Sequence, residues 1–185
     1  MSNKKTNLIG LSGKARVGKD TSADYLVGLT GYQKYSFARP IKDACNHIFM
    51  WDERHSDGEL KECVDPFWGI SPRYAYQTLG TEWGRDIINK DIWLMRAIRV
   101  AEQCNGLIIP DVRFENEASF IRTNGGILIH IERDGAEKVL QHASEAGIKK
   151  EKTDFVVFNN GSVDELWSAL DAIFLSHIVK RNIEV

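Results

Sequence analysis

Nine residues near the start of the chain, Gly13-Lys14-Ala15-Arg16-Val17-Gly18-Lys19-Asp20-Thr21, have a spacing suited to holding oxyanions: Gly, four residues, Gly-Lys. Glycines let the main chain wrap closely around phosphate oxygens. The turn's N–H groups and the following helix N-terminus supply positive potential, and a lysine there reaches the outer phosphates. An apolar run, Asn7-Leu8-Ile9-Gly10-Leu11-Ser12, comes before and a helical pattern, Ser22-Ala23-Asp24-Tyr25-Leu26-Val27, comes after, which is the strand–loop–helix setting this chemistry needs. Asp20 stands where Ser or Thr usually follows the lysine, with a hydroxyl one place later at Thr21. A carboxylate beside phosphates is tolerable with a cation, so Asp20 is read as a magnesium contact; the alternative is a helix N-terminal carboxylate facing the dipole.

These groups need a scaffold, and the chain alternates strand and helix patterns as a parallel sheet wrapped by helices does. The patterns predict strands over 7–12, 32–37, 106–110, 127–131 and 155–158. Helices are expected over 18–29, from Pro40 onward, and over 72–87, 91–104, 114–123 and 163–179, with an irregular insertion at 51–71. Pro110 marks the end of its strand's ladder, because proline has no N–H to donate. Ligands of open parallel sheets collect at the downstream strand ends. Those ends offer the phosphate loop, Phe37-Ala38-Arg39-Pro40-Ile41-Lys42, Asp111-Val112-Arg113-Phe114-Glu115-Asn116-Glu117, Arg133-Asp134 and Asn159-Asn160-Gly161.

Asp111 is a second magnesium candidate, in the position of an acidic residue that orders water on the ion. Arginines suit phosphate because the planar fork binds it bidentately. Arg73 and Gln77 share a helix face, and Arg85 follows in Gly80-Thr81-Glu82-Trp83-Gly84-Arg85. Trp83 is either a stacking partner for a base or a core residue. The charged stretch 133–152, with Arg133, Lys138, His142, Ser144, Glu145 and Lys149, reads as either a flap over a reacting phosphate or an exposed hairpin.

The chain has 185 residues, a net charge of −2 and a pI near 6.2, which suits one domain without the basic field of a duplex-binding protein. Cys45, Cys63 and Cys104 are odd in number and widely spaced, favouring reduced thiols. No signal peptide is read at the polar N-terminus, and no apolar run approaches the ~20 residues of a membrane span, so the expectation is a cytoplasmic protein that binds neither membrane nor nucleic acid. The insertion's Trp51 and Trp68 could cover a neighbouring copy in a homodimer.

With these motifs in order, the chain resembles the phage-type deoxynucleoside monophosphate kinases, a branch of the P-loop nucleoside monophosphate kinases. The resemblance rests on Gly18-Lys19-Asp20-Thr21 with Ala23-Asp24, Phe37-Ala38 with Pro40-Ile41-Lys42, and Arg73, Gln77, Leu79-Gly80-Thr81 and Arg85. It continues through Asp111-Val112-Arg113-Phe114 with Asn116-Glu117, His142, Ser144-Glu145, Asp154 and Asn159-Asn160-Gly161, covering about 8–170.

It implies an α/β P-loop fold in three layers, with a five-stranded parallel sheet in order 2-3-1-4-5. The core is expected over about 7–50 and 105–180, a helical acceptor-binding region over 51–104, and a short lid over 133–152. It also implies ATP and Mg2+ as cofactors and small-molecule nucleotide substrates, with transfer of a γ-phosphoryl group to a deoxynucleoside monophosphate. ATP contacts fall to Gly13, Ala15, Arg16, Val17, Gly18, Lys19, Asp20, Thr21, Asn159, Asn160 and Gly161, and the metal to Asp20, Thr21 and Asp111. Lys42, Arg73, Gln77 and Arg113 would meet the monophosphate. Ser12, Phe37, Ala38, Thr81, Trp83, Arg85, Asp111, His142 and Glu145 are further substrate candidates. Lys19, Arg113 and Arg133 are the expected catalytic groups. Two rivals stay open: a same-fold kinase of another phosphorylated metabolite, of the phosphomevalonate or dephospho-coenzyme A type, and a nucleotide-binding module without catalysis.

Overall fold

The computed structural model describes residues 7–136 and 147–183. In chain order its elements are β1 (Asn7–Ser12), α1 (Lys19–Thr30), β2 (Gln33–Lys34), α2 (Arg39–Phe49), α3 (Glu53–Ser56) and α4 (Pro72–Gln77), the last running into a π-helical segment (Thr78–Ile88). There follow α5 (Ile92–Ala101), β3 (Gly106–Ile109), α6 (Glu115–Thr123), β4 (Ile127–Glu132), β5 (Phe155–Phe158) and α7 (Val163–Ile183). The chain divides into two compact units: Met1–Tyr35 with Ile98–Val185, and Ser36–Ala97.

The first unit holds a five-stranded sheet in the order β2-β3-β1-β4-β5 with every pairing parallel, the expected order. Parallel strands covered on both faces read as continuous apolar runs. Ile9, Leu11, Ile108, Ile129 and Ile131 accordingly form the core with Leu26 of α1 and Leu170 of α7. The β1–β3 register runs from Asn7↔Gly106 to Gly10↔Ile109, so the ladder stops before Pro110 as its missing N–H requires. Past the proline, the Val112 N–H donates to the Leu11 carbonyl at 3.1 Å and holds the next segment against the end of β1.

The second strand is shorter than its alternation predicts. Gln33 and Lys34 alone pair with Leu107 and Ile108, and the Tyr35 N–H then donates to the Ile108 carbonyl at 2.9 Å. This is the sheet edge, where a two-residue strand leaves few unpaired groups.

The unit boundary also differs from the expected one at residue 50. α2 buries Ile41 and Cys45, and Cys45 packs with Trp51 and Ala75. Residues 36–49 therefore belong with the helical unit. The helix expected over 72–87 widens into π turns at Thr78, where Gly80 and Gly84 are both buried. Glycine is among the weakest α-helix formers. The Trp93 indole N–H donates to the Gly80 carbonyl at 2.8 Å, making Trp93 a core tryptophan of this unit while Trp83 stays 44% exposed. In the irregular stretch, Asp65 accepts from the Trp51 indole at 2.7 Å and from the Phe67 N–H at 2.8 Å.

A buried ionic cluster joins α6, β4 and the segment before β5. Arg122 donates to the two Asp154 oxygens at 3.0 and 2.7 Å, and the His130 ring lies 3.0 Å from the same carboxylate. No helix among the described residues is long and apolar enough to cross a membrane.

Candidate active site

The phosphate loop follows β1, and two of its glycines are obligatory. Gly13 has φ 148°, and a Cβ there would lie 2.2 Å from the Ile131 carbonyl oxygen. Gly18, the residue before α1, has φ 100°, and a Cβ would lie 2.5 Å from Asn159 Nδ2. L side chains are strained at such angles, so both positions need glycine. Lys19 folds back across the loop, its ammonium donating to the carbonyls of Gly13 at 2.7 Å and Lys14 at 2.5 Å. Arg16 sits in the left-handed region at φ 61°. Val17 points the other way: at 1% exposure it is a core residue, leaving only its backbone available to the loop.

A cleft of about 420 Å³ opens beside the loop, lined by Arg16, Gly18, Lys19, Asp20, Thr21, Arg133, Asn159, Gly161, Val163 and Leu166. That volume is in the range of small-molecule sites. It brings together the downstream ends of β1, β4 and β5, three of the rim positions expected from sequence. Three cationic side chains and the N-terminus of α1 give it the polarity a polyphosphate needs. Val163 and Leu166 were not anticipated. They are the first apolar positions of α7 after the Asn-Asn-Gly turn, and that placement was the available signal.

Asp20 is the acidic member of the lining, with its side chain 84% exposed. Lys34 lies 3.5 Å from it and 2.8 Å from Asp24. Carboxylate and hydroxyl oxygens are hard donors that suit magnesium, an ion usually held by one or two carboxylates together with substrate phosphates. Among the described residues no group of three or more His, Cys, Asp or Glu side chains forms a cage for a metal. Asp20 and Thr21 thus fit an ion that arrives on a triphosphate.

Ser12 is buried at the end of β1, opposite His130. Asp111 and Arg113 follow β3 and are half-buried outside the cleft lining. Glu117, 1% exposed, fixes this turn: its carboxylate accepts from the Arg113 N–H at 2.9 Å and the Phe114 N–H at 3.1 Å. Glu117→Ala removes the carboxylate that accepts from both N–H groups and lowers unfolding stability by about 1–3 kcal/mol, while Glu117→Gln, retaining an acceptor, loses less. Denaturant titration of the two variants checks this.

In the helical unit, Arg73 and Gln77 both lie on α4, as their spacing predicts. The Arg73 Nε is 2.5 Å from Glu62, Lys42 pairs with Asp57, and Arg85 donates to the Lys90 carbonyl at 3.4 Å. Phe37 is buried, Ala38 and Thr81 are half-buried, and the Ala38 N–H donates to the Ser36 hydroxyl at 3.2 Å. Lys138, His142, Ser144, Glu145 and the middle of the expected lid fall outside the described residues.

The family model for deoxynucleotide monophosphate kinase matches residues 7–71 and 67–170. A protein of Acanthamoeba polyphaga mimivirus, provisionally named a deoxynucleotide monophosphate kinase, is 36% identical over 88% of this chain and 93% of its own length. The deoxynucleotide monophosphate kinase of Escherichia phage RB69 is 24% identical over 90% of this chain and 98% of its own. A solved structure, a provisionally named kinase from Chloroflexus aurantiacus, is 11% identical with a TM-score of 0.50, covering 95% of this chain and 100% of that one, a likeness of fold alone. A family model matched across both units, together with a relative sharing more than a third of its residues, makes this chain a member of the deoxynucleotide monophosphate kinase family.

Proposed function

We infer that the protein transfers the γ-phosphoryl group of ATP to a deoxynucleoside 5′-monophosphate, giving a deoxynucleoside diphosphate and ADP. The observation that carries this reading is the cleft shared by the phosphate loop, Arg133 and the turn after β5, in a chain of this family. In the reaction an oxygen of the acceptor phosphate bonds to the γ-phosphorus as the bond to the β,γ-bridging oxygen breaks. Negative charge moves toward that bridging oxygen. Lys19 and the loop's N–H groups bind the outer phosphates and offset that charge, with Arg133 adding a guanidinium at the cleft wall. Magnesium, when bound, would neutralise phosphate oxygens; Asp20 and Thr21 at the cleft would hold it, and Asp111, outside the cleft lining, is the further candidate that the resemblance supplies. Arg113, in the turn braced by Glu117, and Lys42, Arg73 and Gln77, in the helical unit, are assigned to the acceptor. Positioning and charge compensation supply the catalysis, with no covalent enzyme intermediate.

A panel of acceptors in an ADP-release assay tests the reading. Deoxynucleoside monophosphates should release ADP at rates well above background. ADP release with phosphomevalonate or dephospho-coenzyme A instead would reassign the acceptor. ATP binding without ADP release for any acceptor would leave a nucleotide-binding module.

A further inference from the structure

We propose that Asn160 and Asp134 are positioning residues that act through Arg133, clamping the turn that presents the arginine to the donor phosphates. The proposal rests on the role given to Arg133 above and adds how the fold holds it. β4 ends at Glu132, and the next four residues form a turn closed by the Ala136 N–H donating to the Arg133 carbonyl at 3.3 Å. Gly135 takes φ 71° within it. The turn is held from two sides.

On the β5 side the Asn159 N–H donates to the Glu132 carbonyl at 2.7 Å. Asn160 then meets Asp134 at both ends of its amide. The Asp134 N–H donates to Asn160 Oδ1 at 2.8 Å, and Asn160 Nδ2 donates to Asp134 Oδ2 at 2.8 Å. On the side of the phosphate loop, the Lys14 ammonium donates to the Ala136 carbonyl at 3.2 Å. The residues on both sides of Arg133 are therefore fixed to the turn after β5, and the far end of its turn is fixed to the loop.

This separates the two asparagines that sequence assigned together to ATP. Asn159 donates to the Val17 carbonyl at 2.9 Å and lies under Gly18, so it supports the loop. Asn160 engages Asp134 instead and sets the main chain from which Arg133 extends. An arginine side chain is long, and a displacement of about 1 Å at a reacting phosphate can cost up to about 100-fold in rate. Asn160 and Asp134 are themselves exposed, so the clamp adds little to global stability and its loss leaves the protein folded.

A kinetic double-mutant cycle tests this, with kcat, the KM for ATP and the denaturation midpoint measured for wild type, Asn160→Ala, Arg133→Ala and the double variant. The expected result is a several-fold lower kcat for Asn160→Ala at an unchanged midpoint, and no further loss when Asn160→Ala is added to Arg133→Ala. Exchanging the pair, Asp134→Asn with Asn160→Asp, keeps two bonds between the residues, the residue 134 N–H and side-chain amide now both donating to the carboxylate at 160, and should recover most of the kcat that Asn160→Asp alone loses. Equal losses in the presence and absence of Arg133, or a raised KM for ATP at unchanged kcat, would overturn the clamp while leaving the kinase reading intact. Arg133→Ala with wild-type turnover would overturn it at its base, by removing Arg133 from the reaction.

Discussion

Lys19→Ala lowers turnover by about 100- to 1000-fold, the range found when a donor aimed at developing transition-state charge is removed. The ammonium lies across the mouth of the phosphate loop between the Gly13 and Lys14 carbonyls, and the cleft it lines also holds Arg16 and Arg133. Neither arginine can take its place: Arg16 leaves the loop three residues earlier, from the left-handed region at φ 61°, and Arg133 extends from the turn after β4. Lys19→Arg should rescue little, since a planar guanidinium cannot occupy the space of a compact ammonium. The same substitution changes folding only slightly. The Lys19 hydrogen bonds to the Gly13 and Lys14 carbonyls are exposed, each contributing about 1 kcal/mol or less. Steady-state rates and a urea titration on one preparation separate the effects; near-normal turnover in a folded variant would take the loop out of the mechanism.

Asp154→Ala does the reverse, acting on stability far more than on chemistry. The carboxylate is 1% exposed and its partners Arg122 and His130 are 11% and 5% exposed. It receives two bonds from Arg122, one from the Glu151 N–H at 2.9 Å, and lies within hydrogen-bond distance of His130. Alanine leaves the guanidinium buried without its main counter-charge, a loss of about 3–5 kcal/mol. Burial alone would raise this carboxyl's pKa. The bonds from Arg122, Glu151 and His130 outweigh it and lower the value from 3.8 to about 2.

A folded-state pKa below the unfolded one stabilises the protein above pH 4, and that contribution disappears as pH falls from about 4 through about 2. Its size is about 2 kcal/mol, at 1.36 kcal/mol per pKa unit. Denaturant midpoints for wild type and Asp154→Asn at pH 7, 4 and 2.5 measure it, with the gap between the two proteins narrowing as the acid is added. A constant gap would show that the carboxylate's charge is not what holds the cluster.

What could be read from sequence, and what could not, follows from how far apart the interacting residues lie. The loop's spacing, the helix face shared by Arg73 and Gln77, and the ladder stop at Pro110 depend on neighbours a few positions away. All three are found where expected. The strand order came from resemblance, since alternating patterns alone fit many orders. Contacts between distant residues left no local trace. His130 and Asp154 are 24 positions apart, and Asn160 and Asp134 are 26 apart. Trp83 and Trp93 look alike in a helical pattern, and tertiary packing against Gly80 and Gly84 decides which of them is buried. β2 alternates over six residues, yet only Gln33 and Lys34 pair with β3. Glu117 was noted as part of a motif. Its burial beneath the Arg113 turn supplies the reason for it.

The most direct measurement follows the phosphoryl group itself. Purified protein is mixed with γ-labelled ATP and each deoxynucleoside monophosphate in turn, and the products are separated. Label in a deoxynucleoside diphosphate, formed in step with ADP and lost in Lys19→Ala, is the predicted result. Label that stays in ATP with every acceptor, or appears only as inorganic phosphate, would contradict the account.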